Sequence, residues 1–313
     1  MNILILGGSG FVGRAICNKL VADGHSVTVP TRKRDNARAL FPLPTLTVEE
    51  ADITDVATLA RLAKGKDAVI NLVGILNEKK RGDFERAHVT LTERALEACK
   101  LAKVGRYLHM SALGASTNAP SDYQKTKARA EAAVMASGLN ATIFAPSVIF
   151  GNEDSFLNKF AAMIKLMPPL VPMALPGAST QFQPVWVDDV ARAFVGALQK
   201  PDTSGQRYEL AGPKRYSLKA LVAYVMATTE DRHLIIGLPG FASAALAGVL
   251  QFVPTQPLTP DNVKSMQVDN VSDAAWPSFA GARTALESVV PRYLGRAAVT
   301  DTFASARERA GHS

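Results

Sequence analysis

The sequence predicts a doubly wound parallel α/β sheet followed by a smaller C-terminal α/β lobe. Three observations predict it: short runs rich in Val, Ile and Leu, helical patterns that alternate with them, and a change of rhythm after Phe150. The apolar runs carry no alternating polar face, as strands covered by helices on both sides require. Repeated strand–helix units with right-handed crossovers then close into one sheet.

In chain order the expected strands are residues 3–6, 26–30, 45–49, 67–72, 106–110 and 140–144. Helical periodicity falls near 11–23, 33–41, 55–64, 83–103 and 121–137. Residues 1–150 form the expected first domain. Beyond it, residues 151–186 are proline-punctuated and show no strand–helix repeat. The pattern returns at 184–198, 206–210 and 217–229. Residues 151–313 are therefore read as a smaller lobe whose segments interleave with the first domain.

With 313 residues, 47% hydrophobic and 20% charged, the chain can bury a large core. Cys17 and Cys99 are too few for a disulfide framework and read as buried thiols of a reducing compartment. The net charge is +7, yet the basic residues are scattered, with tight clusters only at Arg32-Lys33-Arg34 and Lys79-Lys80-Arg81. At 7% aromatic content there is no stacking platform, so no nucleic-acid partner is expected. His25, His109 and His233 lack metal-ligand spacing, and no metal is expected. No basic segment precedes the first strand, so neither a signal nor a transit peptide is expected. The expected location is cytoplasmic, at most peripheral at the inner face of a membrane.

Gly7-Gly8-Ser9-Gly10-Phe11-Val12-Gly13 joins the first strand to the first helix. Such a corner needs glycines for unusual dihedrals, for close approach of the backbone to a pyrophosphate, and for helix–strand packing. Its N–H groups and the positive helix end face the phosphates. This context makes the domain Rossmann-type and points to a nicotinamide dinucleotide.

An NAD-preferring site places a carboxylate at the end of the second strand, on the ribose 2′-hydroxyl. Here Thr31-Arg32-Lys33-Arg34 stands there, with no carboxylate between Asp23 and Asp35. Arg32 can pair with a 2′-phosphate through its fork of donors, which favours NADP(H) over NAD(H). Asp52 and Ile53 after the third strand and Val73 and Gly74 after the fourth are further candidate cofactor contacts. Asp55 reads as a helix cap.

The glycine corner, Ala51-Asp52-Ile53-Thr54-Asp55, Met110-Ser111-Ala112-Leu113-Gly114-Ala115 and Tyr123-Gln124-Lys125-Thr126-Lys127 together resemble the extended short-chain dehydrogenases/reductases. Ala145-Pro146-Ser147-Val148-Ile149-Phe150-Gly151 and Phe182-Gln183-Pro184-Val185-Trp186-Val187-Asp188-Asp189-Val190-Ala191 narrow the likeness. They resemble the atypical branch related to the NADPH-binding accessory subunit of respiratory complex I. The likeness spans roughly residues 1–230.

It implies a catalytic set of Ser111, Tyr123 and Lys127, with Lys127 also holding the nicotinamide ribose and Pro146 beside the cofactor. Tyr123 and Lys127, four apart, share a helix face, where the ammonium can favour tyrosinate and acid–base chemistry. Two departures argue against a standard sugar-nucleotide epimerase or dehydratase site. His88 stands where the family's helix carries asparagine, and Ala145 stands where an arginine is frequent. His88 also reads as an ordinary helix-surface residue.

Residues 234–260 contain no charged side chain, and Pro239-Gly240 leaves too short a helix to cross a bilayer. Together with residues 163–176, the stretch reads either as lobe core or as a docking surface for a membrane interface or hydrophobic partner. Two functional readings follow. One is an NADP(H)-binding accessory or assembly protein near membrane respiration. The other is a soluble NADP-dependent reductase or epimerase acting on a carbonyl or lipid-like substrate.

Overall fold

The structure is a computed structural model, and it describes residues 1–168, 171–250 and 258–295. The chain opens with β1 (Asn2–Leu6), α1 (Phe11–Ala22), β2 (Ser26–Thr31) and a 3-10 helix, Arg34–Leu40. It continues through β3 (Leu46–Glu50), α2 (Val56–Ala63), β4 (Ala68–Asn71) and a π turn, Glu85–Thr90. That turn runs into α3 (Leu91–Leu101), and β5 (Arg106–Met110), α4 (Asp122–Ala136) and β6 (Ala141–Pro146) follow.

These six strands and Gln206–Leu210 form one seven-stranded sheet. The order is Gln206–Leu210, β6, β5, β4, β1, β2, β3, and every pairing is parallel. Winding reverses between β1 and β4, so the loops after these strands diverge and leave a crevice at their carboxyl ends. The inner strands are apolar because both faces are covered: β4 and β6 are buried throughout.

Three elements differ from the sequence reading. β3 at the sheet edge is half exposed, since an edge strand has one neighbour and needs less apolar cover. The helix expected over 33–41 is a 3-10 segment, with Ala37 leaving helical dihedrals at φ −111° and ψ 15°. The long helix expected over 83–103 runs over 83–101 but contains a π turn, where the Leu91 N–H reaches back five residues to the Arg86 carbonyl.

Two compact units divide the chain. The first comprises Met1–Pro146, Val187–Leu210 and Ser272–Ala282. The second takes the described residues of Ser147–Trp186, Ala211–Val271 and 283–295. Gln206–Leu210, read from sequence within the smaller lobe, is the seventh strand of the main sheet. Its register against β6 is a non-local pairing that no sequence window contains.

The second unit packs helices Leu157–Leu166 and Leu218–Thr229 around Phe150, Leu157, Leu175, Leu221 and Val225. Strands Met173–Pro176 and Ile235–Leu238 pair in parallel beside them. Helix Gly240–Leu250 turns Ser243 and Ala247 inward. Its other side is open: Phe241 is 81% and Val249 68% exposed, and Leu234 nearby in sequence is 70% exposed. Residues 234–250 therefore have both an inner and an outer apolar face, while 251–257 lie outside the described residues. Among the described residues no helix is long and apolar enough to cross a membrane.

Candidate nucleotide site

The corner between β1 and α1 is built on missing side chains. A Cβ on Gly13 would lie 2.4 Å from the Gly7 carbonyl oxygen and 2.5 Å from that of Gly8. A Cβ on Gly8 would lie 2.7 Å from a Val29 methyl on β2. Gly7 has φ +81°, and a Cβ there would lie 3.2 Å from the Leu72 carbonyl carbon and 3.3 Å from the Val73 nitrogen beyond β4. Gly10 caps α1 without a side-chain bond, and no acidic residue stands in the first turn. No carboxylate of that turn therefore competes for the N–H groups of Phe11, Val12 and Gly13. Ser9 is partly exposed and its carbonyl accepts from Arg14 Nη1 at 2.7 Å.

At the end of β2 Thr31 is buried and Arg32 is exposed. Asp52 is exposed too, and accepts bonds from the Thr54 backbone N–H (2.9 Å) and hydroxyl (2.8 Å). These bonds hold its carboxyl below the usual range, with the Arg32 charge adding to them. Arg32 and Asp52 are thus electrostatic neighbours. Ile53 is partly buried on the core beneath them. Asp55 caps α2 through the Thr58 N–H at 2.8 Å.

β4 ends in Asn71, which sequence reading passed over. Its Oδ1 accepts the Val73 N–H at 3.1 Å, and its amide donates to the Tyr107 hydroxyl at 3.0 Å. A polar residue inside the buried run Ala68-Val69-Ile70-Asn71-Leu72 was the available signal. The chain then passes over α4 at Gly74, which has the Lys127 Nζ within 3.1 Å of where its Cβ would stand.

Lys127 is buried and donates to the Met110 carbonyl at 3.0 Å. Burial lowers its ammonium to about 8, against a smaller opposing effect of Glu131. Tyr123, one turn earlier on α4, is partly exposed, yet desolvation pushes its phenol up to about 12. The sequence argument for a tyrosinate near neutral pH is not met by these surroundings: burial dominates, and the phenol keeps its proton.

Ser111 follows β5 and is buried, its N–H bonded to the Phe144 carbonyl at 2.7 Å and its hydroxyl without a partner. His109, two residues earlier, is buried with neither ring nitrogen bonded, and desolvation, followed by the Lys127 charge, lowers it well below its usual value. His109 lies on the strand that supplies the Lys127 carbonyl partner, Met110, and Ser111 directly follows it. Pro146 ends β6, and its carbonyl accepts the Leu113 N–H at 2.8 Å.

His88 is not a helix-surface residue. It is fully buried, hydrogen-bonded through both nitrogens to Ile75 and Thr126, with Phe84 and Tyr123 against its ring. The π turn shifts the register on which a surface reading depends. Cys17 and Cys99 are buried thiols, raised to about 12 by desolvation. Among the described residues no three His, Cys, Asp or Glu side chains gather as metal ligands.

Residues 3–211 match the NAD dependent epimerase/dehydratase family. NADH dehydrogenase (ubiquinone) 1 alpha subcomplex subunit 9, mitochondrial, of Mus musculus is 33% identical over 280 residues, covering 88% of this chain and 74% of its own. Ceramide reductase of Caulobacter vibrioides is 28% identical over 202 residues, covering 64% of this chain and 61% of its own. The NADPH-dependent quinone oxidoreductase QOR2 of Escherichia coli, solved with NADPH, superposes with a TM-score of 0.73 at 19% identity. It covers 92% of this chain and 98% of its own, and at that identity the likeness concerns the fold alone.

Proposed function

The chain belongs to the NAD dependent epimerase/dehydratase family within the extended short-chain dehydrogenases/reductases, and from this we propose that it binds NADP(H) in preference to NAD(H). The bound nucleotide serves a structural, assembly or redox role near membrane respiration. The observation that carries the binding reading is the glycine corner, where side chains at Gly8 and Gly13 are sterically forbidden and the first turn of α1 has no acidic competitor.

Arg32 supports the choice of NADP(H): it is exposed at the end of β2, where a carboxylate would select NAD(H). Calorimetry with both reduced nucleotides tests it. Arg32→Asp is expected to weaken NADPH by ~10-fold or more relative to NADH, the worth of one charge-assisted pair. An unchanged ratio rejects the assignment of Arg32.

The role near respiration is supported by the mouse relative, itself an NADH dehydrogenase subunit, and by the outward apolar face at Leu234, Phe241 and Val249. That face suits a hydrophobic partner or a peripheral site at the inner face of a membrane. Co-flotation with liposomes tests the membrane form, which fails if the chain stays in the dense fraction.

The unpartnered, buried Ser111 hydroxyl favours a second reading, a reductase or epimerase using Ser111, Tyr123 and Lys127 on a carbonyl or lipid-like substrate. The ceramide reductase relative supports the lipid-like class. Tyr123→Phe separates the readings. The enzyme reading expects lost turnover at near-constant cofactor affinity, and the accessory reading expects no defect in vivo.

A further inference from the structure

Three parts of the sheet unit meet at the His88 ring. From the β4 exit, the Ile75 N–H donates to Nε2 at 3.1 Å. From α4, Thr126 Oγ1 lies 2.9 Å from Nδ1. Within the turn that carries His88, Phe84 stacks on the ring at 5.4 Å between centroids, and Tyr123 of α4 meets it edge-on at 5.4 Å. The His88 carbonyl is held as well, by the Thr92 hydroxyl at 2.7 Å.

The hydrogen bonds admit one protonation pattern. An amide N–H can only donate, so Nε2 presents its lone pair to Ile75. A neutral imidazole then carries its proton on Nδ1, the position facing Thr126. The Thr126 hydroxyl sends its own proton one turn back, to the carbonyls of Asp122 (2.8 Å) and Tyr123 (2.9 Å). Donors and acceptors alternate without a gap from the β4 exit to the helix that carries Tyr123 and Lys127. Desolvation first, and then the Lys127 charge, lower the ring to about 3 and keep it neutral.

At its β4 end this chain of bonds adjoins Lys127. A Cβ on Gly74 would meet Lys127 Nζ at 3.1 Å and His88 Nε2 at 3.7 Å, so the ring and the ammonium lie under one glycine. The π turn bends the element at this point, a distortion frequent at functional sites. We propose that His88 is a positioning residue: a fixed-tautomer clamp that sets the Gly74–Ile75 backbone over Lys127 for the nicotinamide half of a bound dinucleotide. The proposal rests on nucleotide binding at the Gly7–Gly13 corner. It adds that His88 acts on one half of the ligand and leaves the adenosine half alone.

The full chain and two variants test this by calorimetry with two probes, NADPH and adenosine 2′,5′-bisphosphate. ADP and NADH replace them if the chain prefers the unphosphorylated nucleotide. His88→Phe keeps a ring against Phe84 and Tyr123 and removes both hydrogen bonds. Thr126→Val leaves the imidazole and removes its far anchor, and it carries the test alone if the first variant fails to fold. Each is expected to weaken the dinucleotide about 10-fold, the scale of one buried hydrogen bond, and to leave the adenosine bisphosphate unchanged. Equal weakening of both probes means general loosening and overturns the proposal, as does no weakening of either.

Long-range proton–nitrogen NMR of the wild-type chain reads the tautomer, with His88→Phe assigning the signals. The Nδ1–H form is expected throughout pH 6–9, the range an ordinary histidine near 6.5 would titrate across. An Nε2–H form, or titration in that range, overturns the clamp. A wild-type chain that binds neither probe rejects the nucleotide reading itself. One that binds both, with neither variant selective, rejects only the clamp.

Discussion

Lys127 Nζ occupies the space in which a side chain on Gly74 would begin, 3.1 Å from where that Cβ would stand. Gly74 is not among the glycines with positive φ, so alanine there meets no left-handed strain, only the end of a flexible side chain. Gly74→Ala should therefore cost about 1–3 kcal/mol of stability, the scale of one disturbed hydrogen bond to a buried ammonium. It should still displace the ammonium from the Met110 carbonyl and weaken dinucleotide binding several-fold. Thermal melts and calorimetry check the pair of effects, and unchanged affinity would contradict it.

Two glycines of the corner make forecasts of different size. Gly13→Ala drives a methyl to 2.4 Å from the Gly7 carbonyl, and backbone must move to relieve it. A loss of roughly 1–3 kcal/mol is expected, together with loss of nucleotide binding. Gly10→Ala meets only the same carbonyl at 3.3 Å and should be far milder. Urea denaturation of both variants decides; equal midpoints would remove the steric account.

Lys127 sets a pH dependence. Burial lowers it from 10.5 to about 8, so between these values the unfolded chain binds more protons than the folded one. Stability from this group therefore rises with pH across that window, by about 3 kcal/mol in all, and below pH 8 the burial penalty is fully present. Lys127→Met lacks the term. Its stability advantage over wild type should shrink steadily from pH 8 to 10.5, and a constant difference in urea unfolding would refute the assignment.

Arg106 is 5% exposed and among the described residues has only neutral oxygens as hydrogen-bond partners. Nη1 donates to the Asn140 carbonyl and side chain, both at 3.0 Å. Nη2 reaches Thr142 and Thr203 hydroxyls at 2.6 Å each and the Ala197 carbonyl at 3.2 Å. This fork ties Val187–Leu210 to β5 and β6, and lysine cannot reproduce it. Arg106→Lys should lose roughly 2–4 kcal/mol in urea unfolding with dinucleotide affinity unchanged in the folded chain. A shift within error would mean that the fork is not needed.

Local spacing made much of the site legible. The glycines follow an apolar strand and open a helix, Asp55 stands at its cap position, and Tyr123 and Lys127 lie one helical turn apart. Each is a relation within a few residues, where backbone geometry follows from sequence. The mature environment was not legible in the same way. Tyr123 was read as activated by Lys127, yet desolvation decides its protonation, and desolvation depends on everything packed around it.

His88, Asn71 and Gln206–Leu210 show where local reading stops. Gln206–Leu210 joins the main sheet through pairing with a strand some sixty residues earlier in the chain, as the register of Gln206 with Thr142 records. His88 turns inward within the π turn itself, and Asn71 is satisfied by groups on α3 and β5. By itself the sequence determined the order of elements, the glycine corner and the pair on α4, because period and glycine stereochemistry act over one or two turns. Only the tertiary structure decided which polar groups lie buried together and with what protonation, because burial and long-range hydrogen bonds exist only once the sheet has closed over them.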